Sequence, residues 1–388
     1  MADYDVTQMR KFVSPEIIFG VGARLSVANY AKTFGAKKVL IVSDSGVKDA
    51  GWLGEVENLL SENEIDWVSF TDVSPNPRVE EVMKGAEFYL AEKCNMIVAV
   101  GGGSPMDCAK GIGIVATNGK SIRDFQGVDM IGAPIPPLIF IPTTSGTSAD
   151  VSQFAIISDQ RERFKFSIIS KAIVPDVALV DPKTASSMDP YLTACTGLDA
   201  LVHAIEAFVS TGAGPLTDMY ALDAIKLIYR NLPLLISEPD DMQLREQVML
   251  GSMKAGLAFS NAILGAVHAM SHSLGGYLDL PHGLCNAMLL EHVIAYNFPN
   301  AEDRFKIIAQ EMNIDIRGLS SKQVMHRLVQ QVTLLKQQVG IIQTLSVNGV
   351  TLTDIPVLSE KALIDPCLIT NPRPSNKRDL ETVYEEAL

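Results

Sequence analysis

The first half of the chain alternates short apolar runs with amphipathic stretches. Uninterrupted runs rich in β-branched and aromatic residues predict strands at 37–44, 66–70, 95–100, 137–142 and 177–181. Between them, apolar residues recur every three to four positions and predict helices at 51–64 and 78–93. Strands that alternate with helices of this length are typical of βαβ units, so we expect an α/β region with a mostly parallel, Rossmann-like sheet. Residues 152–159 and 163–170 have the pattern of a hairpin appended to that sheet.

The pattern changes after Asp181-Pro182, where strand signals nearly vanish. Helical periodicity dominates the rest of the chain, most clearly at 215–232, 242–259 and 321–340. The chain is also longer than a single core usually grows. We therefore predict two domains, an α/β domain of residues 1–185 and an all-helical domain of residues 186–388. The cleft between two such domains is a common place for a ligand.

Composition narrows the classes of partner. The 388 residues carry a formal net charge of −13, which argues against nucleic acid or an anionic membrane surface as a partner. Five cysteines are dispersed singly, which predicts reduced thiols and a cytoplasmic location. The polar first eleven residues do not resemble a secretory signal. We also expect that no segment reaches the roughly 18–20 apolar residues that span a bilayer.

A glycine-rich turn, "GGGS" at 101–104, follows the strand predicted at 95–100. Ser104 suits a helix N-cap, Pro105 the first helical position and Asp107 the first turn. Glycines allow a ligand to approach the backbone closely, and the free N–H groups of a helix start attract phosphate. The spacing is not G-x-G-x-x-G, so a tight turn without a ligand is an equally good interpretation of this segment alone.

Polar residues follow two other predicted strands. Asp44 ends the strand at 37–44, where a carboxylate can accept the ribose hydroxyls of NAD and repel the 2′-phosphate of NADP; a helix cap or turn is the alternative. The loop at 142–150 brings five hydroxyl groups after the strand at 137–142, and alone it would suit a solvated turn. Open α/β sheets bind ligands at the carboxyl ends of their strands. The three loops together therefore predict a dinucleotide site.

An Asp and a His share one helix face in the segment "GLDALVHAIE" at 197–206. Asp199 and His203 are four residues apart, about one helical turn, and Glu206 lies on the same stripe. Their neighbours are almost all apolar, which predicts a buried helix. A buried carboxylate is costly unless it is paired or holds a cation.

Three of the six histidines fall within fifteen residues. His268 and His272 repeat the four-residue spacing on a helix that we expect Gly275-Gly276 to end, and His282 follows in a turn. Any one of them alone is more simply interpreted as a core residue. Together with Asp199 they form a nitrogen and oxygen donor set that suits Fe(II) or Zn(II).

Three segments resemble one known family: "GGGSPMDCAKGIG" (101–113), "GLDALVHAIEAF" (197–208) and "GAVHAMSHSLGGYLDLPHGLCNA" (265–287). The chain resembles the iron-containing (group III) alcohol dehydrogenases, which include 1,3-propanediol dehydrogenases, lactaldehyde reductases and bacterial NAD-dependent methanol and ethanol dehydrogenases. The resemblance covers nearly the whole chain. It implies the fold shared with dehydroquinate synthase, with a dinucleotide-binding first domain and a second domain that holds the metal and the substrate.

The resemblance also implies site residues. The implied metal ligands are Asp199, His203, His268 and His282, and the implied catalytic residues are His272, as a proton carrier or an orienting group, and His282. The implied NAD contacts are Asp44, Asn76, Gly102, Gly103, Ser104, Asp107, Thr143, Thr144, Thr147, Ser152, Phe154, Lys165 and Leu179. Many members have proline where this chain has Ser273 and Glu291, which can alter the substrate pocket.

The implied reaction is reversible hydride transfer between NAD and a primary alcohol or small diol, giving an aldehyde or ketone, with Fe(II) or Zn(II) bound. The protein would act on small molecules as a homodimer or larger homo-oligomer, and residues 11–19 could pair across a dimer as an edge strand. One alternative is a lyase of the dehydroquinate-synthase kind, which would need clustered Lys and Arg near the metal. Others are a mononuclear iron oxygenase, which has no use for phosphate-binding loops, and an alcohol or redox sensor without turnover.

Overall fold

The computed structural model describes residues 11–388. The polar N-terminal stretch, on which the expectation of no secretory signal depends, lies outside the described residues apart from Lys11. The strands in this part of the chain are β1 (Glu16–Phe19), β2 (Lys38–Val42), β3 (Asp66–Phe70), β4 (Met96–Gly101), β5 (Gly127–Val128), β6 (Leu138–Pro142), β7 (Phe154–Asp159), β8 (Phe164–Ile169) and β9 (Val177–Val180).

Six of these strands form one sheet in the order β1-β9-β6-β4-β2-β3, and all of its pairings are parallel. The prediction of a parallel sheet in an α/β region is confirmed. Successive side chains along a strand point to opposite faces. Leu40 and Val42 therefore join one apolar cluster with helices, while Val39 and Ile41 join another on the opposite face. Both faces are covered, which explains why the strands are apolar throughout.

The predicted hairpin exists, but its predicted place is wrong. β7 and β8 pair antiparallel, and β8 pairs with β5 in a separate three-stranded sheet. The hairpin cannot extend the large sheet beside β6 or β9, because β6 is paired with β4 and β9, and β9 is paired with β6 and β1. β1 itself is an edge strand within the chain's own sheet.

The helices of the α/β part pack on the large sheet, and helices alone follow residue 190 in the described chain. The first group is α1 (Val27–Thr33), α2 (Ser45–Asp49), α3 (Trp52–Glu62), α4 (Val79–Ala91) and α5 (Gly103–Asn118). The second group is α6 (Pro190–Val209), α7 (Pro215–Ser237), α8 (Met242–Ala262), α9 (Ala266–Leu278), α10 (His282–Asn297), α11 (Glu302–Glu311), α12 (Ser321–Gln338), α13 (Ile355–Leu363) and α14 (Lys377–Ala387). The change from mixed strands and helices to helices alone confirms the predicted two-part architecture. The domain division near residue 185 stays a prediction.

Helix α6 runs through the centre of the helical part. It is long and apolar enough to cross a membrane by length and composition, so the expectation that no segment reaches this limit is wrong. Within the protein, 94% of its most apolar window is buried. It packs against α7, α8 and α10. Among the described residues, α8 and α9 meet the same criterion only together, and they are bent by 100° at their junction.

Helix α9 does not end at Gly275-Gly276 as predicted, but continues to Leu278. These glycines are needed for close packing instead. A Cβ atom at Gly276 would lie 2.9 Å from the backbone nitrogen of Lys165, and one at Gly275 would lie 2.9 Å from the Lys165 ammonium group. The glycines therefore let the β7–β8 hairpin lie directly on α9.

Candidate metal centre and cofactor cleft

A cavity of about 740 Å³ opens where the carboxyl ends of β2, β4 and β6 face the helical part. Residues that follow these three strands, Asp44, Gly102 and Thr143, form one side of it. Residues of α6, α8, α9 and α10 form the other side. This is the edge at which open parallel sheets bind ligands.

The glycine-rich turn forms the start of α5, two residues earlier than predicted. Gly102 is the N-cap and Gly103 is the first helical residue, so Ser104 is not the cap. A Cβ atom at Gly103 would lie 2.9 Å from Cγ2 and 3.0 Å from Cβ of Thr147. Only glycine therefore lets this turn pack on the 142–150 loop, and Gly102, Gly103 and Ser104 line the cavity. The turn fits a phosphate group by backbone contact at a helix N-terminus.

Most of the predicted cofactor contacts lie on the cavity wall. Asp44 Oδ1 also accepts a hydrogen bond from the Val47 backbone, so this residue is both a cavity residue and the N-cap of α2. Leu179 is different, since it is fully buried in β9 and is not part of the wall. The predicted cofactor contacts that line the cavity are Asp44, Asn76, Gly102, Gly103, Ser104, Asp107, Thr143, Thr144, Thr147, Ser152, Phe154 and Lys165.

A buried charge cluster supports the cofactor side of the cavity. The Lys110 ammonium group on α5 is fully buried and donates hydrogen bonds to the carbonyls of Ser152 (2.9 Å) and Phe154 (2.7 Å). Burial lowers its pKa to about 8, and burial raises the pKa values of Asp107 and Asp150 to about 6. The fields of the lysine and the carboxylates oppose these shifts. Near pH 7, one buried cation therefore offsets one of the two negative charges of these buried carboxylates.

The four predicted metal ligands converge at the other end of the cavity. Oδ1 of Asp199 lies 4.0 Å from Nε2 of His203, 3.8 Å from Nε2 of His268 and 3.7 Å from Nε2 of His282. One donor atom from each of the four residues lies within 4.8 Å of the others. Donor atoms that bind one ion at about 2.0–2.2 Å are at most about 4 Å apart, so the set needs only small closure to hold a divalent ion.

Glu206 holds the His268 ligand in place. Its carboxylate accepts hydrogen bonds from the backbone N–H groups of Gly265 (3.1 Å) and Val267 (2.6 Å), and lies 2.6 Å from Nδ1 of His268. Glu206 is itself 3% exposed. The residue thus joins α6 to the start of α9 and leaves Nε2 of His268 for a metal.

The electrostatics of the cluster suit a cation. Burial opposes ionisation of Asp199, but the nearby imidazoles of His203, His282 and His268 outweigh it and lower the pKa of the carboxyl group. Burial lowers the pKa of His203 to about 3 and that of His282 well below its usual value, against the field of Asp199. Burial also acts to lower the pKa of His268, but hydrogen bonding to the two carboxylates raises it to about 9. Metal binding requires an ionised Asp and neutral imidazoles, so a bound ion must displace the proton of His268.

His272 faces the cavity beside the ligand set. Its Nδ1 lies 2.9 Å from Oδ2 of Asp365, which is 2% exposed, and its ring stacks on that of His282 with centroids 5.2 Å apart. With Nδ1 engaged by a carboxylate, Nε2 is the nitrogen that can exchange a proton with the cavity. No residue pattern indicates that Asp365 contacts His272, from which it lies 93 residues away in the chain.

Two phenylalanines form an apolar wall next to the ligands. Phe259 stacks on His203 with ring centroids 4.2 Å apart, and Phe154 packs on Phe259 with its ring at 65° and centroids 5.5 Å apart. Both line the cavity. Phe259 was not predicted, because an aromatic residue in an apolar helix looks like any core residue. Beneath this wall, His203 is only 4% exposed.

Models of one protein family match both halves of the chain. Residues 14–182 match a family model described as iron-containing alcohol dehydrogenase. Residues 193–388 match a model described as the C-terminal part of the iron-containing alcohol dehydrogenase family. The two matches together cover most of the chain.

Individual relatives agree along the whole length. The chain is 38% identical to a 1,3-propanediol dehydrogenase of Klebsiella pneumoniae, over 100% of this chain and 99% of that protein. It is 37% identical to an NAD-dependent methanol dehydrogenase of Bacillus methanolicus, over 97% of this chain and 99% of that protein. The crystal structure of a 1,3-propanediol oxidoreductase superposes with a TM-score of 0.95 at 38% identity, over 98% of this chain and 100% of that one.

Proposed function

The chain belongs to the iron-containing alcohol dehydrogenase family, and on this basis we propose that the cavity is the place where an alcohol carbon transfers hydride to NAD. The protein is a metal-dependent alcohol dehydrogenase that uses NAD. The observation that carries the proposal is the shared cavity: the glycine turn at the start of α5 and the Asp199–His203–His268–His282 set line the same space.

The residues present fit both groups. The donor set has one carboxylate and three imidazole nitrogens, which suits Fe(II), our first choice, and also admits Zn(II). The Gly103 turn can receive the cofactor's pyrophosphate where any Cβ would collide with Thr147. A bound divalent ion would lower the pKa of the alcohol hydroxyl, and bound NAD would be the acceptor for hydride from the adjacent carbon, so that the product would be an aldehyde or ketone.

Proton transfer and the exclusion of water are assigned to side chains of this cavity. We assign to His272 the transfer of the alcohol proton towards solvent, since Asp365 fixes its ring and leaves Nε2 free. Phe154 and Phe259 exclude water beside the ligands. The substrate is proposed to be a primary alcohol or a small diol, because the space next to His203 is bounded by these apolar rings.

The lyase alternative finds little support in the cavity. A phosphorylated acid would need several cationic side chains near the metal. Among the described residues that line the cavity, Lys165 is the one Lys or Arg, and it donates a hydrogen bond to Asn76 Oδ1 at 2.7 Å. We therefore retain the dehydrogenase function.

The proposal is tested with metal-stripped protein. NADH formation would be followed with ethanol, 1-butanol, 1,2-propanediol and 1,3-propanediol after anaerobic addition of Fe(II) or Zn(II). We expect turnover to return with one of these ions, which identifies the working metal and ranks the substrates. Tight NAD binding without turnover, for either ion and every alcohol, would contradict the proposal.

The choice between NAD and NADP is predicted to depend on Asp44. In Asp44→Asn, the amide oxygen can still cap α2, while the charge that would repel a 2′-phosphate is removed. We expect kcat/KM with NADP to rise about tenfold or more relative to NAD, equivalent to about 1.4 kcal/mol, with little change in thermal stability. Steady-state kinetics with both cofactors measure the ratio. An unchanged ratio would leave Asp44 with the capping role alone.

We also propose that the protein is a cytoplasmic homodimer or larger homo-oligomer. The support for assembly is the edge strand β1, which pairs with β9 on one side and with no other described strand. The support for the compartment is that all five cysteines are unpaired and buried. Light scattering of the purified protein tests the assembly, and a mass of one protomer would contradict it.

A further inference from the structure

The apolar wall beside the metal ligands extends beyond its two phenylalanines. Phe259 of α8 stacks on His203 with ring centroids 4.2 Å apart, and Phe154, the first residue of β7, packs on Phe259 at 5.5 Å. Leu264 lies in the short link between α8 and α9, four residues before His268, and lines the cavity together with both rings. The space next to the reacting oxygen is therefore bounded on this side by carbon atoms from three segments of the chain.

The wall is held in place from behind. Its three side chains are buried, and Phe154 and Leu264 are also held through their backbones. The carbonyl of Phe154 accepts a hydrogen bond from the Lys110 ammonium group at 2.7 Å, and the carbonyl of Leu264 accepts one from Oγ1 of Thr370, also at 2.7 Å. Close-packed side chains of this kind keep their positions, so a bound molecule meets a fixed apolar surface.

The polar groups around the wall already have partners or roles. Lys165 donates to Oδ1 of Asn76 at 2.7 Å, and the amide nitrogen of the same Asn76 donates to Asp279 at 3.0 Å. His272 is engaged by Asp365 through Nδ1, and its Nε2 is assigned to the proton of the reacting hydroxyl. The hydroxyl groups that follow β6 and precede β7 are among the proposed cofactor contacts. A second hydroxyl on a substrate that lies along the wall would therefore face carbon.

Burial against carbon separates two kinds of substrate. A hydroxyl group that leaves water without gaining a hydrogen bond is unfavourable, whereas burial of a methyl group is favourable. 1-Butanol and 1,3-propanediol have the same number of heavy atoms and differ only in that the terminal methyl of the first is a hydroxyl in the second. The wall therefore distinguishes them by polarity rather than by size.

We propose that the preferred substrates of this site are primary alcohols with a single hydroxyl and an apolar chain, and that Phe154 helps to determine this preference over diols. The inference rests on the proposed function and narrows its substrate class. The hydroxyl is held at the ligand set while the chain lies along the wall. Phe259 packs on the ligand His203, so Phe154, which packs on Phe259, is the better position to change.

The first test uses the metal-loaded parent protein with saturating NAD and needs no variant. Values of kcat/KM are compared within two pairs of equal size, 1-butanol with 1,3-propanediol and 1-propanol with 1,2-ethanediol. We expect the alcohol with one hydroxyl to be favoured by about tenfold to a hundredfold, the range for a methyl-to-hydroxyl exchange in an apolar pocket. Equal values, or a preference for the diol, in either pair would overturn the proposal. Absence of turnover with all four compounds would instead contradict the proposed function.

The second test compares Phe154→Gln with Phe154→Leu as its matched control. Glutamine offers a donor and an acceptor to a second hydroxyl, so we expect the ratio of kcat/KM for 1-butanol to that for 1,3-propanediol to fall about tenfold. Leucine keeps the wall apolar and should leave the ratio within about threefold of the parent value. A parent-like ratio in Phe154→Gln, or an equal fall in both variants, would contradict the role of Phe154.

Two further measurements accompany this comparison. Circular dichroism reports whether each variant is folded. The KM for NAD is measured for both variants as well, because Phe154 is also a proposed cofactor contact. A change in cofactor affinity affects both alcohols of a pair alike, so it leaves their ratio unchanged.

Discussion

Replacing His268 by alanine is expected to remove the metal and the activity together. The residue supplies one of the four converging donor atoms and is held by Glu206, and alanine offers no donor atom in its place. The metal contributes several kcal/mol to the stabilisation of charge on the reacting oxygen. Turnover should therefore fall by about 10³-fold or more, since each 1.36 kcal/mol corresponds to a factor of ten. Metal content by mass spectrometry and NADH formation measure the two effects.

The control for this prediction is His292→Ala. His292 lies on α10, outside the cavity wall and outside the converging ligand set. We expect this variant to keep its metal and most of its turnover. Circular dichroism should show that His268→Ala is still folded, because the surrounding core is large and apolar. A His268→Ala protein that is active without metal would refute the ligand assignment.

Replacing Lys110 by methionine is expected to have the largest effect on stability. Methionine is of similar length, but it leaves two carbonyls and the carboxylates of Asp107 and Asp150 without their buried cation. Removal of one partner from a buried ionic group costs about 3–5 kcal/mol. Urea unfolding at pH 7 measures the loss. Lys48→Met, at an exposed position, is the control and should change the free energy of unfolding by less than about 0.5 kcal/mol.

The deficit of Lys110→Met should shrink at low pH. Burial raises the pKa values of Asp107 and Asp150 from 3.8 to about 6, so the folded protein binds their protons more tightly than the unfolded chain. Loss of the lysine removes an influence that lowers both values, which increases this difference. Protonation therefore stabilises the folded variant as the pH falls from 7 to 5. A deficit that is equal at both pH values would show that the lysine acts through packing alone.

The sequence predicts the parallel sheet well because its central strands are covered on both faces. Such strands are apolar without interruption, and the predicted runs at 66–70 and 177–181 differ from β3 and β9 by at most one residue. The residue pattern of a strand does not indicate which other strand it pairs with. The β7–β8 hairpin was therefore predicted correctly as a hairpin and assigned to the wrong sheet.

The part of the site that could be predicted is the part in which ligand-type residues recur at helical spacing. The four-residue spacing of Asp199 and His203 indicates that both lie on one face of a helix. The family resemblance implies which residues are the metal ligands. Their convergence depends on the packing of α10 against both α6 and α9, which periodicity does not reveal. Asp365 was missed for a related reason: one carboxylate is common in any chain, and only its contacts distinguish it.

The position of β1 has a consequence for the order of synthesis. Among the described strands β1 pairs with β9 alone, and just beyond β1 the backbone N–H of Gly22 donates to Asp181, 159 residues later in the chain. At about 5–20 residues per second, the ribosome needs roughly ten to thirty seconds to supply that partner. In the meantime β2, β3 and β4 can already pair with one another. β1 thus leaves the ribosome before the other strands of the sheet but is among the last of them to join it.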